Sequence, residues 1–108
     1  MVIKFYNGNI LETTIYAYPD RETVRIENHT DDVIHLAFGI NQNPTWADFE
    51  TFLEDRCPPR TRANIKEILE SLDLQYYDPI SICKKTEGRT VEDNSWMDID
   101  TEEDMERD

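Results

Sequence analysis

Two alternating segments, VIKFY and ILETTIYAY, lie on either side of Asn7-Gly8, and they constrain the N-terminal third more than any other feature. An Asn-Gly pair tolerates the positive φ values of a type I′ turn, whose twist matches that of the strands it joins. The pattern predicts a β-hairpin. Side chains alternate across a strand, so Val2, Lys4 and Tyr6 share one face while Ile3 and Phe5 share the other. Pro19-Asp20 marks a second turn into TVRIE, where Val24 and Ile26 alternate with Thr23, Arg25 and Glu27. These runs predict a three-stranded antiparallel meander.

Beyond Glu27 the apolar period lengthens. In DDVIHLAF, Val33, Ile34, Ala37 and Phe38 fall at helical spacing, with Thr30 or Asp31 as N-cap and Gly39 as the stop. NPTWADFETFLEDR predicts a helix capped by Thr45, with Asp48 in the place of the capping-box acid and Trp46, Phe49 and Leu53 on one face. Pro58-Pro59 ends that helix and opens another over 60–72, where Ile65, Ile68, Leu69 and Leu72 make the best amphipathic match in the chain. YYDP turns into a short helix, PISICKK, with Ile80 and Cys83 inward and Gly88 as its stop. SWMDI offers a last strand, with Trp96 and Ile99 toward the core and Met97 on the other face. The expected fold is α+β: a three-stranded antiparallel sheet, which this last strand can extend, with three to four helices packed on one side. Residues 1–99 form the expected single domain and 100–108 an acidic tail.

Composition narrows the function. The 108 residues carry a net charge of −13, and nine of the acids stand against one arginine between Glu92 and Asp108. Direct nucleic-acid binding needs clustered Lys and Arg, so this balance argues against it and for solubility or a basic partner. No apolar run approaches the roughly 18 residues of a membrane span. The start, MVIKFYNGN, lacks the regions of a secretory signal, so the expected location is the cytoplasm. Cys57 and Cys83 are well separated with no CxxC, and adding His29 and His35 produces no metal-like spacing. The cysteines are expected to be small core residues, with no metal and no cofactor.

Catalytic patterns are not found either. There is no GxSxG elbow or P-loop, the chain has only three glycines, and carboxylates are too numerous for any pair to stand out as acid and base. His35 is expected to be a partly buried histidine of an apolar helix face, and His29 a turn residue. In Tyr76-Tyr77 one ring is expected to pack and one hydroxyl to reach water. The expectation is a protein that is not an enzyme. A helix-turn-helix reading of 46–55 and 60–72 is weak, because Glu67 and Glu70 give the second helix a poor face for DNA.

RCPPRTR puts Arg56, Arg60 and Arg62 within seven residues of this acidic chain. Either they catch an anion from outside, or they hold the chain's own carboxylates; Asp55, Asp78, Glu92 and Asp93 are the candidates. The planar guanidinium suits both tasks.

From Trp46 to Trp96 the order WADFETFLEDRCPPRTR, then a Leu-rich helix, YYDP, KKTEGR and EDNSW resembles a group of small proteins from mobile elements and genomes of Firmicutes. Some of that group are similar to small partners encoded beside HipA-like kinases, and others to phage anti-CRISPR proteins that inhibit type II CRISPR nucleases. The chain departs from the common pattern at Pro58, where an aromatic residue is frequent, and in its long acidic extension after Ile99. The shared motif implies a common scaffold in which the arginines hold helix ends and carboxylates together. The resemblance implies an acidic inhibitor in a bacterial host cell that binds the basic channel of a type II CRISPR nuclease and interferes with guide RNA or target DNA. Its candidate contacts are Glu50, Glu54 and Asp55, with Asp98, Asp100, Glu102, Glu103 and Asp104 after the last tryptophan. The alternative is a non-enzymatic regulatory partner of a HipA-like kinase or another prophage or toxin–antitoxin protein, with exposed hairpin residues such as Tyr16 and Tyr18 as contacts.

Overall fold

The computed structural model describes residues 1–101. Its sheet has four antiparallel strands: β1 (Val2–Asn7), β2 (Ile10–Tyr18), β3 (Thr23–Asn28) and β4 (Ser95–Asp100), in the order β3-β2-β1-β4. Three helices accompany it: α1 (Trp46–Asp55), α2 (Ile65–Ser71) and α3 (Pro79–Thr86). The α+β class follows from this alternation of periods. The three-strand sheet is corrected to four because the hairpin leaves one edge of β1 open, and β4 pairs along all of it, from Val2↔Asp100 to Asn7↔Ser95. Strand pairing therefore runs one residue past the expected domain end at 99.

The hairpin turn is also shifted. Asn7 pairs with Ile10, so the two-residue loop is Gly8-Asn9 rather than Asn7-Gly8. Gly8 has φ +60° while Asn9 is not in the positive-φ region. A glycine at the first loop position is the type II′ arrangement, which suits the strand twist as type I′ does. Farther along, Phe5 pairs with Thr13 but Tyr6 with Leu11, leaving Glu12 as an extra residue in β2. Such a bulge re-aims a side chain, and Glu12 is left almost completely buried.

One face of the sheet carries the core. Ile3, Phe5, Ile15, Ala17 and Met97 meet Phe49, Phe52 and Leu53 of α1 and Cys83 of α3. The rings of Phe5 and Phe52 sit edge to face, 5.2 Å apart. Met97 is buried, so the expected facing of Met97 and Trp96 is reversed: Met97 joins Ile99 on the core side, where Ile99 was expected, and Trp96 points to the open face, stacked on Tyr6 at 4.4 Å. Apolar residues of opposite parity in one short strand left this to be settled by its neighbours. Gly88 leaves room for the inward Met97, lying so close that a Cβ there would be 2.6 Å from Met97 Cε.

Two predicted helices are corrected. Residues 31–40 form a succession of turns, with Val33 N–H on Asp31 O, His35 N–H on Asp32 O and Gly39 N–H on Leu36 O. Ile34 is 84% exposed, whereas Phe38 packs its ring 5.2 Å from Phe52. The Thr13 hydroxyl accepts the Ala37 N–H at 3.2 Å, a bond to β2 that competes with any helical ladder. The helix expected over 60–72 begins only at Ile65, after turns closed by Arg62 N–H on Pro59 O and Ile65 N–H on Arg62 O. Thr61, Arg62, Ala63 and Asn64 are all exposed, so no apolar burial offsets the entropy of ordering another helical turn.

α1 is the best-built helix. Thr45 Oγ1 accepts the Asp48 N–H at 3.1 Å and Asp48 Oδ2 accepts the Thr45 N–H at 2.9 Å, a complete reciprocal capping box. Asn41 adds a second donor to the same carboxylate. These bonds, the Thr45 backbone first, hold the Asp48 carboxyl below the ordinary Asp range. Removing the cap with Thr45→Ala is expected to cost about 1 kcal/mol, and emptying the core with Phe49→Ala about 3–5 kcal/mol. Urea unfolding of the two variants checks the order, which should not invert.

Candidate functional site

Arg56 follows the last turn of α1, and its side chain is only 11% exposed. Two of its nitrogens form a fork on Asp93, at 2.9 and 3.0 Å. Nε donates to Gly88 O and Nη2 to Ser95 O, both at 2.9 Å. The guanidinium also lies 5.7 Å from the Phe5 ring centroid. One side chain thus joins the end of α1, the turn after α3 and the start of β4. The turn presents its carbonyl because Glu87 and Gly88 both take positive φ, 60° and 62°.

The three arginines of RCPPRTR have different surroundings. Arg60 is exposed, 3.2 Å from Glu54 Oε1 and stacked 4.4 Å over the Tyr77 ring. Tyr77 packs and donates its hydroxyl to Pro58 O at 2.7 Å, while Tyr76 is 72% exposed. The Arg62 guanidinium makes no hydrogen bond or ion pair among the described residues. It borders an open cleft of about 560 Å³ with Arg56, Cys57, Pro58, Arg89 and Glu92. Of the four acids considered as partners, the fork selects Asp93; Asp78 instead accepts the Ser81 hydroxyl at 2.6 Å.

The candidate contact acids separate into two groups. Glu50, Glu54 and Asp55 are exposed on α1, which covers the core face of the sheet. Asp98 and Asp100 are exposed on β4 with the opposite parity to Met97, on the open face, where Asp98 lies across from Lys4. The two groups therefore occupy opposite layers. Glu102, Glu103 and Asp104 lie outside the described residues.

That open face also carries aromatics. Tyr6, Tyr16 and Tyr18 share it with Trp96; Arg25 lies 4.1 Å over Tyr16, Arg21 4.6 Å over Tyr18 and Arg89 4.9 Å over Trp96. Arg89 also donates to Glu87 at 2.9 Å.

Sequence reasoning missed a polar cluster at the β2 bulge. Glu12, Asp32 and His35 each bring a potential ligand atom within 4.8 Å of the others. Each already has a protein partner: Thr30 donates its hydroxyl to Glu12, and His35 Nδ1 is 2.5 Å from Asp32 Oδ2. Next to them the His29 ring bonds Thr14 Oγ1 at 2.8 Å. Together with the Thr13–Ala37 bond these contacts latch the 29–39 segment onto β2. His35 sits on a turn rather than a helix face, and its hydrogen bond to Asp32 raises its pKa above the ordinary histidine value. The only sequence signal was a run of polar residues, Glu12-Thr13-Thr14, inside a strand.

No protein-family model, curated protein or solved structure matches the chain.

Arg56→Ala would remove the fork from Asp93, which keeps the Ser95 N–H at 3.0 Å, and the guanidinium donors from the Gly88 and Ser95 carbonyls. The expected loss is about 2–3 kcal/mol, below that of a fully buried pair because Asp93 is 44% exposed. Arg56→Lys should recover only part of it, since an ammonium cannot make the fork. Hydrogen bonding from Arg56 holds the Asp93 carboxyl below the usual Asp range. A depressed carboxylate stabilises fully above its unfolded pKa of about 3.9 and loses this as pH falls through the lower folded value. The stability gap between the native chain and Asp93→Asn should thus be constant near neutrality and close in acid, as read by urea unfolding at each pH.

Proposed function

We propose that the chain is a non-enzymatic acidic inhibitor that occupies a basic nucleic-acid channel, of the kind a type II CRISPR nuclease presents to guide RNA and target DNA. The observation that carries this reading is the fate of the charges. Arg56 is turned inward, Arg60 and Arg89 lie on carboxylates of the same chain, and Arg21 and Arg25 lie over tyrosines. Glu50, Asp55, Glu67, Glu70 and Asp98 meanwhile face solvent. Residues 1–101 alone hold nineteen acids against ten bases.

Such a field draws in a basic partner and repels nucleic acid. Carboxylates can take the positions of phosphates along a channel that grips backbone and shape. Acids on both layers suit insertion between two basic walls better than docking on one flat surface. The ordered motifs between Trp46 and Trp96, with their resemblance to anti-CRISPR proteins, supply the class of partner. In this reading Glu50, Glu54, Asp55, Asp98 and Asp100 make the contacts.

The open aromatic face favours a second reading, a regulatory partner of a HipA-like kinase bound through Tyr16, Tyr18 and their neighbours. Apolar burial is not screened by salt, so that complex would resist ionic strength.

The test is target cleavage by purified type II CRISPR nucleases, with the chain added before or after guide RNA. Protection is expected when the chain is added first, and it should weaken as salt rises. Neutralising Glu50, Asp55 and Asp98 together to Gln and Asn should weaken binding about tenfold or more, a loss of about 1.4 kcal/mol. Unchanged affinity after neutralisation would remove the mimicry reading, and no protection by either order would transfer the function to the kinase partner.

A further inference from the structure

Cys57 and Cys83 stand 26 positions apart, yet the fold brings their sulfurs to 3.6 Å. Both are free thiols. Cys83 is completely buried in α3, while Cys57 is half-buried on the turn after α1. Cys57 also borders two open clefts, the one shared with Arg62 and another of about 400 Å³ beside Glu54, Arg60 and Tyr77. The accessible and the inaccessible sulfur are thus in contact.

We propose that Cys57 and Cys83 form a peroxide-oxidisable dithiol site, in which Cys57 reacts with the oxidant and Cys83 resolves it to an intramolecular disulfide. This goes beyond the inhibitor reading and does not depend on it. The distance exceeds a disulfide bond by about 1.5 Å, an amount that rotation of the half-buried Cys57 side chain can close. Chemistry orders the two roles. Hydrogen bonding from Cys83 holds the Cys57 thiol below the ordinary cysteine range, whereas that same bond and burial push the Cys83 thiol up. The thiolate is the nucleophile, so attack begins at the sulfur that both ionises and meets solvent.

In the first step the Cys57 thiolate attacks hydrogen peroxide. An S–O bond forms, the O–O bond breaks, and the departing hydroxide takes a proton to become water. In the second step the Cys83 sulfur attacks the Cys57 sulfenic acid; the S–S bond forms, the S–O bond breaks, and the Cys83 proton leaves with the hydroxide as water. Two thiols lose two electrons to one peroxide, giving one disulfide and two waters. The product staples the end of α1 to α3 immediately beside the Arg56 fork.

The test uses the full, reduced chain. It is exposed to hydrogen peroxide, quenched with N-ethylmaleimide, and digested with trypsin without reduction. The expected product is peptide 57–60 linked to peptide 67–84, with loss of both free thiols together and no change in monomer size. Cys83→Ser should instead stop at a Cys57 sulfenic acid that dimedone captures, and Cys57→Ser should leave Cys83 reduced. Three results would overturn the proposal: both thiols persisting under peroxide that oxidises free cysteine, a disulfide joining two chains, or equal dimedone capture in native and Cys83→Ser protein. The linked peptide is read on the native chain, so the test holds even where a serine variant fails to fold.

Discussion

The Arg56 fork is the interaction on which the arrangement of the helix layer against β4 depends. Backbone ladders join β1 to its neighbours, but α1, the turn after α3 and the approach to β4 have no ladder between them. Beside the Met97 N–H on Glu87 O, which ties β4 to the turn, the Arg56 guanidinium supplies that connection through Asp93, Gly88 O and Ser95 O. Its planar set of five donors makes four bonds here, two to the carboxylate and two to carbonyls, one more than the three donors of an ammonium allow. The fork also holds the turn whose glycine lies against Met97, the β4 residue that faces the core. From there the outward facing of Trp96 and Asp98 follows by strand alternation.

Polar side chains do comparable work elsewhere. Glu12, Thr13 and Thr14 bind Thr30, Ala37 and His29, so the 29–39 segment is ordered without becoming a helix. A buried carboxylate is costly unless bonded, and the β-bulge aims Glu12 at a hydroxyl that satisfies it. In this small domain the apolar core is supplemented by specific side-chain hydrogen bonds that hold the 29–39 loop on β2.

These internal bonds shape the surface as well. Cations engaged with carbonyls, tyrosines and the chain's own acids leave an exterior richer in unpaired carboxylate than composition alone implies. The surface charge that supports the proposed function is therefore partly a product of folding. The same folding that turned Arg56 inward brought Cys57 and Cys83 into contact, because both cysteines flank the junction that Arg56 closes.

The sequence by itself determined the hairpin, the third strand, α1 with its Thr45 cap, the short α3 and the amphipathic core of α2. All of these rest on local physics: strand alternation, helical period, proline and glycine geometry, and capping within a few residues. It did not determine the start of α2 or the state of 31–40, because short helical spacing has no effect unless its apolar face finds a partner. Nor could it choose the face of β4, whose apolar residues lie on both sides. Asp93 was one of four acids within reach of the argument, and only the meeting of α1 with the turn after α3 selected it. The contact of Cys57 with Cys83 and the burial of Glu12 likewise join groups distant in the chain, and such distances are set by how the layers pack.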